Sequence, residues 1–153
     1  MKRVLFVCTG NTCRSPMAQA IYNELANPQQ TRAASAGLMA AHGAPASEQA
    51  VEAMKALVGA DLSGHRAQQL TTRMAEEADC ILCMSQAHAQ AVRAMVHEPG
   101  KVDTLLHWAY GQPDSVADPY GQSAAAYQMC ARQLKDAIQA GLGRFLAESV
   151  QNP

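Results

Sequence analysis

The chain has 153 residues, enough for one domain with a sizeable core. A hydrophobic content of 48% and a charged content of 16% exclude a disordered chain. A net charge of -1 speaks against nonspecific binding to nucleic acid or to an anionic membrane surface, and no apolar run approaches the roughly 20 residues of a membrane span.

The first element is a short apolar strand over 3–8, with Val4-Leu5-Phe6-Val7 at its centre. That run is too short for a secretory signal, and no small-residue cleavage site follows it. Five cysteines, an odd number, point to free thiols in a reducing cytoplasm. Residues 16–26 read as a helix, with Met17, Ile21, Glu24 and Leu25 at helical spacing. Residues 32–36 read as a second strand ending at Gly37, and 46–58 as a helix with Val51, Met54, Leu57 and Val58 inward. A short helix over 71–77 leads to a third strand over 79–84, and Ser85 is placed to cap a helix over 86–96. Lys101 to Leu105 forms a candidate fourth strand. The last helix, 123–147, carries Tyr127, Cys130, Leu134, Ile138, Leu142 and Phe145 at a 3.6-residue period, with Gly141 and Gly143 weakening its end. There is no repeat, low-complexity tract or linker, so one domain over 1–153 is expected. The alternation of strands and helices predicts an α/β fold of three αβα layers, with a central four-stranded parallel sheet.

Between the first strand and the first helix stands Cys8-Thr9-Gly10-Asn11-Thr12-Cys13-Arg14-Ser15, followed by Pro16. A helix N-terminus carries unpaired N–H groups and about half a unit of positive charge. A tight loop eased by Gly10 lets those amides wrap a phosphate. Arg14 adds a planar fork of donors, where lysine would be only a point charge. The same positive field favours the thiolate of Cys8, the form that attacks phosphorus to give a phosphocysteine. Ligands of such sheets bind outside the carboxyl ends of the strands, where this loop lies. The segment 111–122 should lie there too, and it holds Asp118-Pro119-Tyr120-Gly121. One carboxyl over the pocket can protonate a leaving group and then activate water, which makes Asp118 the candidate acid and base. Asp114 is the next candidate, and Tyr120 could form a pocket wall.

These stretches, together with Ser35-Ala36-Gly37 and Ala78-Asp79 through Met84, resemble the low-molecular-weight protein tyrosine phosphatase family nearly end to end. The resemblance implies Cys8 as nucleophile, Arg14 as phosphate clamp, Asp118 as acid then base, and a Ser15 hydroxyl that stabilises the thiolate. It implies that Asn11, Ser35 and His65 form a hydrogen-bond network shaping the loop. It also implies a reversible Cys8–Cys13 disulfide that shields the nucleophile. Substrates would be phosphorylated proteins, with no cofactor and no metal, because Arg14 and the loop amides supply the positive charge. Oligomeric state is not legible.

Two departures from the tyrosine-phosphatase pattern bear on substrate. Thr12 stands where those enzymes usually carry an aliphatic residue, and Leu38-Met39-Ala40-Ala41-His42-Gly43 lacks their usual aromatic residue. Cys-Thr-Gly-Asn-Thr-Cys-Arg-Ser-Pro is similar to the protein-arginine-phosphatase branch, so phosphoarginine is the expected substrate and phosphotyrosine the alternative. A remoter alternative is a thioredoxin-coupled arsenate reductase, whose loop is similar. It needs two more redox cysteines after the third strand, and no cysteine lies between Met84 and Gln128. A phosphocysteine carrier would gain nothing from a proton donor. Cys80 and Cys83 lie three apart on a strand and face opposite sides, so they and Cys130 read as core rather than as metal ligands. Leu105, Leu106 and Trp108 in a row favour packing over an exposed interface.

Overall fold

The computed structural model of the protein describes the backbone of residues 1–151 and the side chains of residues 1–144. Ten regular elements follow in order: β1 (Lys2–Cys8), α1 (Arg14–Leu25), β2 (Thr31–Gly37), α2 (Glu48–Val58), α3 (Thr72–Glu77), β3 (Cys80–Cys83), α4 (Gln86–Arg93), β4 (Val102–Thr104), α5 (Leu105–Tyr110) and α6 (Ala124–Gln151). A 3-10 turn over Pro99–Lys101 leads into β4. The expected α/β architecture is present. The four strands form one sheet in the order β2-β1-β3-β4, and every pairing is parallel.

Strand alternation sorts the core into two layers. Val4, Phe6 and Cys8 of β1, with Cys80 and Leu82 of β3, face a large cluster built from α1, α2, α5 and α6. Leu5, Val7, Ile81 and Cys83 face a smaller cluster with Ala75 of α3 and Ala89 and Val92 of α4. Cys80 and Cys83 thus lie on opposite faces, both buried, and burial pushes both thiols up to about 12. Cys130 belongs to the α6 stripe with Tyr127, Leu134, Ile138 and Leu142, and its thiol is likewise pushed up by burial to about 12. The side chain of Phe145, expected in the same stripe, lies outside the described residues.

Several boundaries differ from the sequence expectation, each for a local reason. The fourth strand stops at Thr104, because its hydroxyl accepts from the N–H of His107 and starts α5, a helix the sequence reading lacks. Gly111 ends α5 in a left-handed conformation at φ 72°. Trp108 of α5 packs half-buried on the main cluster, whereas Tyr110 is exposed. The Trp108 ring fills the space where a Cβ of Gly141 would go, so that glycine lets α5 approach α6. Glu24 is exposed, and the face of α1 turned to the core is Met17, Ala18, Ile21 and Tyr22. In the second helix Met54 is buried, while Val51, Leu57 and Val58 are half-buried against the core.

Helix α1 begins at Arg14, two residues earlier than expected, and no side chain caps it at Cys13. Its first-turn amides stay available to a ligand at the carboxyl end of β1. That end is where the chain order reverses, with β2 on one side and β3 on the other. Open parallel sheets bind ligands at this switch point.

Candidate active site

A cavity of about 480 Å³ opens there, lined by Cys8, Thr9, Gly10, Thr12, Cys13 and Arg14 of the loop, by Met39, Ala41, Ala44, Pro45 and Ser47 beyond β2, and by Asp118 and Tyr120. The cavity therefore joins two segments more than a hundred positions apart in sequence, as the strand-end rule anticipated. Asp114 is exposed and is not among the lining residues.

Asn11 holds the loop from behind. It is fully buried and is the one non-glycine residue at positive φ among the described residues, at 57°. Asparagine tolerates that left-handed conformation better than most residues. Its Oδ1 accepts from the backbone N–H of Gln68 at 3.0 Å, which fixes the orientation of the amide. Its Nδ2 therefore donates, to Ser15 Oγ at 2.8 Å and to Ser35 Oγ at 2.9 Å. Each serine then has its own proton to give elsewhere. Ser15 Oγ turns toward Cys8 Sγ at 2.8 Å, and Ser35 Oγ donates to Gln19 Oε1 at 2.6 Å. His65 Nε2 lies 2.8 Å from the Asn11 carbonyl, which can only accept, so this nitrogen carries the proton. Burial lowers the basicity of His65 and keeps the ring neutral near neutral pH, against the opposing pull of that hydrogen bond.

Two further contacts complete the loop. The N–H groups of Leu38 and Met39 donate to the carbonyls of Cys8 and Thr9 at 3.0 and 2.9 Å. Gly37 allows this approach, since a Cβ there would meet the Thr9 carbonyl oxygen at 2.6 Å and the Asn11 nitrogen at 3.0 Å. Cys13 sits among hydroxyls, with Tyr127 Oη at 3.2 Å and Ser47 Oγ at 3.4 Å.

Arg14 is buried, yet its guanidinium is not idle. Nη1 donates to the Val116 carbonyl at 3.0 Å, and Nη2 lies 3.5 Å from Asp118 Oδ2. Val116 is itself tied to the sheet by its N–H, which donates to the Met84 carbonyl at 2.9 Å. The Asp118 loop is thereby hung on the end of β3, with its carboxylate half-exposed over the cavity. The Tyr120 N–H donates to Asp118 Oδ1 at 3.1 Å, and the Tyr120 ring stands 71% exposed at the cavity rim.

The sequence reading did not single out Gln19, Gln68, Met39, His88 or the Val116 carbonyl as parts of this site. His88 reaches Thr9 Oγ1 at 2.9 Å. Its position after Ser85, in the first turn of the helix following β3, was the available signal, because the same strand-end rule applies there. Among the described residues no group of three or more His, Cys, Asp or Glu could hold a metal ion. No helix among them is long and apolar enough to cross a membrane.

A parallel sheet carrying a cysteine and an arginine in one loop at its switch point, with a carboxylate on the same cavity, is the arrangement of the class of cysteine-based phosphatases. The sequence profile described as low molecular weight phosphotyrosine protein phosphatase matches residues 3–152. The chain belongs to that family. It is 36% identical over 147 residues to the probable low molecular weight protein-tyrosine-phosphatase EpsP of Ralstonia nicotianae, covering 96% of this chain and 98% of the relative. It is 34% identical over 139 residues to the protein-arginine-phosphatase of Bacillus subtilis, covering 89% and 91%. Among solved structures, the YwlE arginine phosphatase from Geobacillus stearothermophilus superposes with a TM-score of 0.91 at 32% identity, covering all of this chain and 98% of that one. Relatives thus include both tyrosine and arginine phosphatases, and phosphorylated proteins are the substrates that the family implies.

Proposed function

We propose that the protein is a protein arginine phosphatase acting through a phosphocysteine on Cys8. The thiolate attacks phosphorus in line with the leaving guanidine nitrogen, which takes the proton from the Asp118 carboxyl as the P–N bond breaks. Arg14 and the loop amides from Thr9 to Ser15 hold the phosphoryl oxygens as charge develops on them. Water then attacks the phosphocysteine while the Asp118 carboxylate takes its proton, and the P–S bond breaks to release phosphate and regenerate the thiolate. The Cys8–Ser15 contact at 2.8 Å and the Arg14–Asp118 approach at 3.5 Å support these roles.

The observation that carries the substrate assignment is Thr12. It lines the cavity together with Met39, Ala41, Ala44 and Pro45, none of which offers an aromatic face for a phosphotyrosine ring. A hydroxyl there can help place the hydrolytic water, and a ring-free wall suits a flat, polar guanidinium. The exposed ring of Tyr120 at the rim favours the second reading, a phosphotyrosine substrate stacked on that one side. Cys13, lining the same cavity as Cys8, supports a reversible disulfide between the two. A cytoplasmic location belongs to this reading and rests on the odd count of cysteines.

The test is phosphate release by the reduced protein from a phosphoarginine-bearing protein and from a phosphotyrosine peptide, side by side. The expected result is a strong preference for phosphoarginine that moves toward phosphotyrosine in Thr12→Ile. A phosphotyrosine preference in the unaltered protein would overturn the substrate assignment. Unchanged selectivity in Thr12→Ile would remove the role given to Thr12.

A further inference from the structure

We propose that His88 is a positioning residue for the phosphate loop, tethering Thr9 to the end of β3 so that the turn after the nucleophile keeps its catalytic shape. The proposal rests on the assignment of the Cys8 loop as the phosphatase site. His88 Nε2 lies 2.9 Å from Thr9 Oγ1, and Nδ1 lies 2.9 Å from Ser85 Oγ. Ser85 Oγ also accepts from the backbone N–H of His88 at 3.2 Å, so the ring is anchored at the start of α4. The parallel register aligns Val7 with Cys83, which brings the residues two positions on, Thr9 and Ser85, to the same level at the sheet edge. The imidazole bridges that level from β3 to the loop.

The Thr9 side chain is exposed, and among the described residues its hydroxyl bonds to His88. Its carbonyl is held from the other side by the Met39 N–H at 2.9 Å. Thr9 is thus clamped between β2 and β3, one residue after the nucleophile. The charged groups that face His88 are Arg14 from α1 and Asp118 from the loop before α6. Burial and the Arg14 charge together lower the basicity of the ring, against Asp118, so a neutral imidazole makes both contacts near neutral pH.

The test uses p-nitrophenyl phosphate as substrate and inorganic phosphate as competing ligand. Four single variants are compared: His88→Ala, His88→Asn, His88→Gln and Thr9→Val. A glutamine amide reaches where Nε2 sits and can bond Thr9, whereas an asparagine amide reaches only where Nδ1 sits and bonds Ser85. The expected result is a loss of about three- to ten-fold in kcat/KM for His88→Ala, His88→Asn and Thr9→Val, with weaker phosphate inhibition. His88→Gln should recover most of the loss, and adding Thr9→Val to His88→Ala should cost nothing more. His88→Asn as active as His88→Gln, full additivity of the pair, or unaltered kinetics in Thr9→Val would each overturn the tether. Absence of turnover by the unaltered, reduced protein would instead sink the phosphatase reading on which the tether rests.

Discussion

Replacing Asn11 by alanine removes the group that orders the loop from behind, and the cost follows from its contacts. Three hydrogen bonds are lost, from Gln68 N–H and to Ser15 Oγ and Ser35 Oγ, all at a fully buried site. At about 1 kcal/mol each they amount to roughly 3 kcal/mol. Alanine at φ 57° adds about 1 kcal/mol of backbone strain. The total of about 4 kcal/mol corresponds to a fall in Tm of roughly 10 °C for a chain of this size. Asn11→Gly separates the two contributions, since it keeps the loss of hydrogen bonds but relieves the strain at positive φ. It should therefore melt above Asn11→Ala by a few degrees. Turnover should fall in both variants, because Ser15 is no longer obliged to point its proton at Cys8. The measurement is thermal unfolding followed by circular dichroism, with phosphate release assayed well below Tm. A fall in Tm under about 2 °C together with full activity would show that Asn11 neither supports the loop nor steers Ser15.

Other perturbations have equally definite outcomes. Cys8→Ser should abolish turnover and Asp118→Asn should slow it by roughly 10²- to 10⁴-fold in steady-state assays; normal rates in Cys8→Ser would end the phosphocysteine mechanism. Gly37→Ala forces a Cβ to 2.6 Å from the Thr9 carbonyl and should destabilise by about 1–3 kcal/mol in urea titration, with no loss expected only if β2 and the loop are free to separate. His65 is less basic folded than unfolded, so the unfolded chain takes up its proton first as pH falls. The stability that His65 contributes is complete above its ordinary value of about 6.5 and is lost as pH falls below that toward the folded value. Tm measured across that range should decline less steeply in His65→Gln, and an identical slope would contradict the buried neutral ring. Mild peroxide treatment should give a Cys8–Cys13 disulfide by peptide mass spectrometry, with Cys13→Ser passing instead to irreversibly oxidised Cys8.

The chemistry of the Cys8–Ser15 loop is legible in the linear sequence because it is local. A strand, a glycine-eased turn and a helix start suffice to place a thiol, backbone amides and a guanidinium on one cavity. Asp118 needs only one rule more, that both loops of a parallel sheet emerge at the same edge. Cys80, Cys83 and Cys130 are readable as core from strand alternation and helical period alone. The short helix α5 escapes such reading because a strand of three residues and a helix of six carry too little periodicity to separate. The lateral contacts are a different matter. That Asn11 meets Ser35 and Gln68, that Arg14 finds the Val116 carbonyl, and that His88 stands beside Thr9 all depend on the order β2-β1-β3 and the register of its parallel pairs. Residues 9 and 88 carry no local signal for each other. Only the packing of whole strands, which settles register by burying both faces of the sheet at once, brings them within hydrogen-bond reach.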